Sequence, residues 1–433
     1  MNKQECAIKY VEDNYLQFNR LRHDIIADKL QVRCAHPIGD GLEAKGERQE
    51  QWREMTKHDI NSIVCHAAQE YDANITSREV MTALQSDLIP DVHPLREYVL
   101  SCGEWTEEQP DWIDWVASQV RVKPLGDEAK GDKARGERLW RACFKKWFVA
   151  MVASWMKDEV VNHQVLVLIG KQGIFKTTWL EHLIPPHLRA YACKLANSND
   201  LNKDERLRIA EFGLISLDEI DSMNNRELNQ LKSVITATDV NERAAYAYTK
   251  ERRVRLASFC ASGNRRDFLT DITGNRRWLP FEVESIQNPF TTILPYERMY
   301  AQAWALAQDP LFSYWFDLEE IEVLEQHNQY FRDESNEEQL LPILFDVPAE
   351  DRGEFMTTAQ ISERLVTYGN IKKPMALSRL GMVLGTAGFR AVTRKAGSGR
   401  ARGWIVYQRD NDEIKNLRRL LKDETSQLDT AIY

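Results

Sequence analysis

A chain of 433 residues, 43% hydrophobic and 28% charged, has the makeup of a soluble globular protein and the length for more than one core. No apolar run approaches the roughly 20 residues that span a bilayer, and seven dispersed cysteines without a C-x-x-C pair exclude a disulfide framework and a structural zinc site. The net charge of −9 excludes a uniformly basic nucleic-acid binder, so any such role must rest on local patches.

Residues 1–85 read as a polar helical region, with Trp52 and Tyr71 as its expected core aromatics and a glycine-containing break at 39–46. The opening Met1-Asn-Lys-Gln-Glu-Cys6 lacks the character of a secretory signal, so a cytoplasmic protein is expected. Residues 86–160 carry Trp105, Trp112, Trp115, Trp140, Trp147 and Trp155 at helical spacing, which predicts a buried helical domain rather than a binding platform. There is no zinc ribbon and no Asp-x-Asp pair of the kind a primase needs, so any priming activity is expected on a separate polypeptide.

A short apolar strand, Val165–Ile169, then runs into Gly170-Lys171-Gln172-Gly173-Ile174-Phe175-Lys176-Thr177-Thr178. This is the layout of a phosphate-binding loop, whose backbone N–H groups and following helix N-terminus favour negative charge. Lys176 is placed to reach the β- and γ-phosphates of ATP, and the Thr177 hydroxyl to complete the shell of a bound Mg²⁺. One position departs from the pattern: Phe175 stands where glycine is usual, restricting the backbone and crowding the phosphates.

Some forty residues on, Gly213-Leu-Ile-Ser-Leu-Asp-Glu219 is a second apolar strand ending in two carboxylates. In a P-loop ATPase the first, Asp218, holds Mg²⁺ and the second, Glu219, is the general base for water. Arg243–Arg255 alternates aromatic and basic residues in the manner of a β-hairpin. Phe259-Cys-Ala-Ser-Gly-Asn264 is a third strand, whose Asn264 sits at the sensor position of AAA+ and superfamily 3 helicase-like ATPases, expected to lie between the other two strands. Gly274-Asn-Arg-Arg-Trp278 offers Arg276 or Arg277 as an arginine finger for a neighbouring subunit's γ-phosphate.

Together Gly-Lys-Gln-Gly173, Lys-Thr-Thr-Trp179, Leu-Asp-Glu-Ile-Asp221, Leu231–Thr236, Ser-Gly-Asn264 and Phe268–Trp278 resemble the virulence-associated protein E family over roughly residues 90–330. These are P-loop ATPases of phages and mobile elements, similar to the helicase half of phage primase–helicases. The resemblance implies an oligomer, expected as a hexameric ring, that acts on single-stranded or forked DNA in replication of a mobile element. It also implies that the Arg243–Arg255 hairpin enters a central channel, with Lys250 at its tip, gripping the strand electrostatically, the alternative being that Arg243 or the Arg252–Arg253 pair serves a neighbouring subunit's nucleotide or a plain ion pair.

Residues 309–354 hold fourteen acidic and two basic side chains and read as a helical segment and solvated acidic linker. Beyond it, Thr357–Leu365, Pro374–Leu384 and two strands around a basic glycine-rich turn make helix, helix and hairpin, the pattern of a winged helix. Arg379 on its second helix and Arg394, Lys395, Arg400 and Arg402 on the wing suit phosphate contacts. The tail 411–433 begins as a short amphipathic helix.

The expected fold is therefore α/β: a P-loop core over 161–300, preceded by helical regions 1–85 and 86–160. It is followed by the 301–350 segment, a winged helix over 351–410 and the tail. The expected function is an ATP-hydrolysing DNA motor. The alternative is a nucleotide-switched oligomer that binds DNA or a partner without translocating.

Overall fold

The computed structural model describes residues 1–35, 50–125, 134–195, 208–242, 251–270, 275–349, 353–396, 399–417 and 419, and two compact units divide them. The first holds Met1–Asn264 and Arg277–Glu320; the second holds Arg265–Arg276 and the chain from Ile321.

The first unit begins with α1 (Lys3–Asn14), β1 (Leu21–Asp24), β2 (Lys29–Ala35), β3 (Glu50–Glu54), α2 (Lys57–Glu70), α3 (Ser77–Leu84) and β4 (Asp91–Val92). Each helix opens on a capping box: Asn2 with Glu5, Thr56 with Asp59, Thr76 with Glu79. They pack Val11, Ile63, Ala67 and Val80 against Leu21 and Val32 of a four-stranded sheet ordered β3-β2-β1-β4. The all-helical expectation for 1–85 is thus corrected. Its strands are short, and a side chain rather than glycine or proline makes the turn between the first two. Asp24 Oδ1 accepts from the N–H groups of Ile26 (2.9 Å) and Ala27 (3.2 Å), and Asp28 takes φ 55°. Trp52 is only half-buried, with the Arg22 and Arg33 guanidinium groups against its ring, while Tyr71 packs at the margin of the core.

The unit continues through α4 (Pro94–Ser101), α5 (Trp112–Ala117), β5 (Val120–Val122), α6 (Ala134–Met156), β6 (Val165–Ile169), α7 (Lys176–Glu181), β7 (Ala192–Leu195), α8 (Arg208–Glu211), β8 (Leu214–Leu217), α9 (Asn225–Thr236), β9 (Asp239–Glu242), β10 (Glu251–Val254), β11 (Ser258–Gly263), β12 (Trp278–Ile286) and α10 (Tyr296–Gln308). Six of these strands form one sheet, β5-β12-β6-β11-β8-β7, parallel throughout except for β5 against β12. Every residue of β6, β8 and β11 is buried, as suits interior strands of a parallel sheet covered on both faces.

The fully buried Trp140, Phe144, Trp147 and Trp155 of α6 form the aromatic core with Trp179 and Tyr300. Their indole N–H groups are satisfied by backbone carbonyls: Trp140 by Ala117 (2.9 Å), Trp147 by Phe259 (3.1 Å) and Trp155 by Gly213 (3.1 Å). Trp105 and Trp112 are half-buried and Trp115 is exposed. Because β5 hydrogen-bonds β12 and α6 packs into this core, residues 86–160 are continuous with 161–300 rather than a separate domain.

The second unit contains α11 (Leu318–Gln329, whose first residues belong to the other unit), α12 (Asn336–Leu344), β13 (Phe345–Asp346), β14 (Glu354–Met356), α13 (Thr358–Gly369), α14 (Leu377–Thr386), β15 (Arg390–Ala396) and β16 (Gly399–Gln408). β16 pairs with β13, β14 and β15, and the sheet closes over Leu341, Leu344, Ile361, Leu365, Leu380, Leu384 and Trp404. The helical segment expected over 301–350 is present, and only the solvated linker is corrected, to folded helix. Glu337 is buried and accepts from the Met375 N–H (2.6 Å), and Glu338 pairs with Arg332 (2.5 Å). Among the described residues no helix is long and apolar enough to cross a membrane.

Candidate functional site

Parallel pairing dictates where the polar residues of the first unit gather. β11 lies between β6 and β8, and the three strands end at Ile169, Gly263 and Leu217. The next residues, Gly170, Asn264 and Asp218, leave the sheet at one carboxyl edge, where α/β sheets hold ligands. A cavity of about 310 Å³ opens there, lined by Gln172, Gly173, Phe175–Thr178, Asp218, Glu219 and Ser262–Asn264.

The loop from β6 to α7 is built on two unusual backbone positions. Gly173 has φ 84°, and Phe175, the residue before α7, has φ 67° in the left-handed region. The glycine usual at this position would adopt that conformation without strain; Phe175 does so with its ring edge-on to Phe290, centroids 6.3 Å apart. Gly263 is closely approached by side chains: a Cβ there would stand 2.7 Å from Asp221 Oδ1, which would have to shift.

Lys176 is buried at 7% exposure, and its ammonium donates to the carbonyls of Gly170 and Lys171 (2.8 Å each), with Asn264 Oδ1 at 3.4 Å. Burial lowers its pKa, and the nearby Asp221 and Asp218 partly oppose that. Thr177 Oγ1 donates to Asp218 Oδ1 (3.2 Å) and lies 2.9 Å from Ser262 Oγ, which itself donates to Asp218 Oδ1 (2.7 Å). Lys194 on β7 reaches Asp218 Oδ2 at 2.8 Å. Burial works against the charged form of Asp218, but the hydrogen bonds from Lys194 and Ser262 outweigh it and hold the carboxyl below its ordinary range. Thr177, Asp218 and Ser262 form an all-oxygen donor set, which fits a hard divalent cation such as Mg²⁺.

Glu219 lines the cavity, is exposed, and also has positive φ, 52°. Asn264 is exposed, and its N–H donates to Asp221 Oδ1 at 3.1 Å. Thus residues 170–178, Asp218, Glu219 and Asn264, read separately from the sequence, meet around one cavity. Ser262 also lines it, while Lys194 and Asp221 touch it only through Asp218 and the Asn264 N–H; the sequence reading gave none of the three a role. Ser262 was visible two residues before Asn264, whereas nothing in the sequence marks Lys194.

Arg277 is not part of this edge. Arg277 immediately precedes Trp278, which pairs with Val165 at the start of β6, roughly 16 Å of strand away from Gly170. It therefore cannot serve its own chain's site. Arg276 is exposed in the 3₁₀ turn Asn275–Arg277.

β9 and β10 pair antiparallel, with Arg252 opposite Asn241, so the first paired strand precedes the expected Arg243–Arg255 segment, whose residues 243–250 lie outside the described residues. Lys250 lies outside the described residues. Arg253 is tied to Asp28 (2.9 Å) and Glu211 (3.7 Å) at 16% side-chain exposure, which is the ion-pair alternative rather than the strand-gripping one. Arg255 is wholly buried and donates to the carbonyls of Val234, Ile235 and Ala237 at the end of α9, and to those of Asn162 and Ala257.

In the second unit, Arg394, Lys395, Arg400 and Arg402 are exposed on the β15–β16 hairpin, with Lys395 opposite Arg400. Arg379 instead turns into its own unit, donating to the Thr270 carbonyl (3.2 Å) beside Glu338 (3.7 Å).

These features define a strand–loop–helix turn facing a strand-end carboxylate pair in a mainly parallel α/β unit. Residues 129–338 match the virulence-associated protein E-like domain, so the family resemblance read from the motifs is borne out over that stretch. Two solved structures are similar along most of the chain. The apo structure of NrS-1 C terminal region (305-718) shares 11% identity, covering 93% of this chain and 99% of that one, with a TM-score of 0.43. The A form apo structure of NrS-1 C terminal region shares 12% identity over 90% of this chain and 98% of that one, with a TM-score of 0.41. No curated protein matches the sequence.

Proposed function

We propose that this chain is a P-loop ATPase of the AAA+/superfamily 3 helicase-like kind, working as a DNA motor in replication of a phage or mobile element. The observation that carries the reading is the meeting of Lys176, Thr177, Asp218, Glu219 and Asn264 around one cavity at the carboxyl edge of adjacent parallel strands. Residues 170–178 cradle the phosphates of ATP, with Lys176 leaving the loop carbonyls for the β- and γ-phosphates. Thr177 and Asp218 hold Mg²⁺, which when bound neutralises charge on the β- and γ-phosphate oxygens. Glu219 takes the proton of the attacking water, and Asn264 orients that water or the γ-phosphate.

Arg277 lies far along the strand from its own chain's cavity, so Arg276 or Arg277 would act in trans, in a ring, expected to be hexameric, in which each subunit completes its neighbour's site. Lys250 would grip a single strand, and the α13–α14–hairpin module, read as a winged helix, would contact DNA phosphates through Arg394, Lys395, Arg400 and Arg402. A separate primase is the fitting partner for such a motor.

The deciding measurement is the steady-state ATPase rate of the whole chain without nucleic acid, with single-stranded DNA and with duplex. Lys176→Ala should abolish nucleotide binding or turnover, and Glu219→Gln should bind ATP but not cleave it. Stimulation by single strands that Lys250→Ala removes supports a motor; normal turnover by Glu219→Gln removes the general-base assignment. A nucleotide-switched binding protein is the second reading. It is favoured by Phe175, which crowds the phosphate side of the loop and predicts slow turnover indifferent to DNA.

A further inference from the structure

We infer that Lys194 is an internal counter-cation that competes with the nucleotide's divalent metal for Asp218, so that loading the site requires its release. The inference rests on the nucleotide reading above and adds to it a residue that sets the metal requirement.

The register of the sheet edge puts Lys194 there. β7 pairs parallel with β8, Lys194 opposite Ser216, and the Asp218 N–H continues the ladder to the Leu195 carbonyl (3.1 Å). Asp218 thus stands one step past the strand end, and the Lys194 ammonium meets its Oδ2 at 2.8 Å. The other oxygen, Oδ1, already accepts from Ser262 and Thr177. Both carboxylate oxygens are engaged, and the lysine holds the one that the hydroxyls leave open.

An ammonium has three donors and no acceptor, so it cannot share in coordinating a metal. Two cations against one carboxylate also repel. A divalent ion bound to Asp218, directly or through water, therefore displaces Lys194 or weakens its hold. The pair is weak enough to be displaced: the side chains are 48% and 30% exposed, the range in which ion pairs are easily broken.

The released ammonium has a place to go. Lys194 also lines a second cavity, of about 230 Å³, together with Glu181, His182 and Arg189. Glu181 and Glu219 are the acidic groups that act on Lys194 besides Asp218. A lysine that swings from Asp218 toward Glu181 or Glu219 converts metal arrival at one carboxylate into a changed charge beside the general base.

The test reads nucleotide binding, not turnover. ADP binding to the full chain is measured by calorimetry across a Mg²⁺ series and in EDTA, for the wild type, Lys194→Met and Lys194→Arg. Removing an exposed competitor of this strength should lower the Mg²⁺ concentration at half-maximal binding by roughly 1.4- to 5-fold in Lys194→Met. Lys194→Arg keeps the ion pair and should show no such drop, and metal-free ADP affinity should be the same in all three. An unchanged Mg²⁺ midpoint in Lys194→Met overturns the inference. So does a loss of ADP affinity in EDTA, which would make Lys194 a phosphate ligand instead. If the wild type binds no ADP at any Mg²⁺ concentration, the nucleotide reading itself falls, and the inference with it.

Discussion

Phe175 supplies the sharpest test of the loop geometry, because two substitutions there separate backbone strain from ring packing. Its φ of 67° is a conformation that costs an ordinary L-residue about 1–2 kcal/mol and glycine almost nothing. Glycine gives back about 0.5–1 kcal/mol through its greater freedom in the unfolded chain. Phe175→Gly and Phe175→Ala lose the same half-buried ring and the same edge-on contact with Phe290, but only the glycine relieves the strain. Phe175→Gly should therefore be more stable than Phe175→Ala by about 0.5–1 kcal/mol, the reverse of the helix-propensity order. A preference for glycine over alanine at a position preceding a helix adds in the same direction. Urea titrations followed by tryptophan fluorescence suit the measurement, because Trp140, Trp147, Trp155 and Trp179 are all buried in this unit. In the same pair, Phe175→Gly alone should tighten Mg-ADP binding, since it opens the phosphate side of the loop without the Cβ. An alanine variant as stable as the glycine variant would refute the left-handed assignment, and with it the argument that Phe175 restrains turnover.

Three further outcomes follow from residues away from the cavity. His93 accepts from the Arg96 N–H at the start of α4, and burial, aided by the Arg96 guanidinium, pulls its pKa down to about 4. Since the unfolded value lies near 6.5, the unfolded chain binds the extra proton first on acidification. This contribution, at most about 3 kcal/mol, is present above about pH 6.5 and fades toward pH 4. His93→Asn, which retains a capping side chain, should flatten the melting temperature over that window; an unchanged pH profile would contradict the burial argument. Arg255→Met leaves the carbonyls at the end of α9 without their buried donor and should destabilise the first unit by roughly 2–4 kcal/mol. Arg255→Lys should recover little of that, as judged by urea midpoint. Neutralising Arg394, Lys395, Arg400 and Arg402 together should lower the slope of log affinity against log salt for DNA by up to about four, without lowering stability, since Lys395 opposite Arg400 is a like-charge pair. An unchanged slope would place DNA elsewhere on the chain.

What the sequence disclosed and what it hid follow one physical divide. The loop 170–178, the Asp218–Glu219 pair and Asn264 were legible because each is a short polar signal fixed to the end of a buried apolar strand, and parallel pairing converts strand ends into a common edge. Lys194 was not legible: it sits on an edge strand with an irregular burial pattern, and only the β7–β8 register brings it to Asp218. The same holds for β1–β4, whose few residues are ordered by an aspartate-closed turn, and for β5, recruited by pairing with β12 more than 150 residues later. Charge misled where it was counted rather than located. Glu337 and Glu338 read as linker, yet one caps a backbone N–H and the other an arginine. Arg253 read as part of a strand-gripping hairpin, yet two carboxylates from distant segments hold it. The hairpin cations Arg394, Lys395, Arg400 and Arg402 differ in kind, because cross-strand pairing sets Lys395 opposite Arg400 and so concentrates like charge on exposed strands. Like charges placed directly opposite destabilise a strand pair. A polyanion bound along that hairpin would relieve the repulsion, which is why the salt dependence of DNA binding should be most sensitive there.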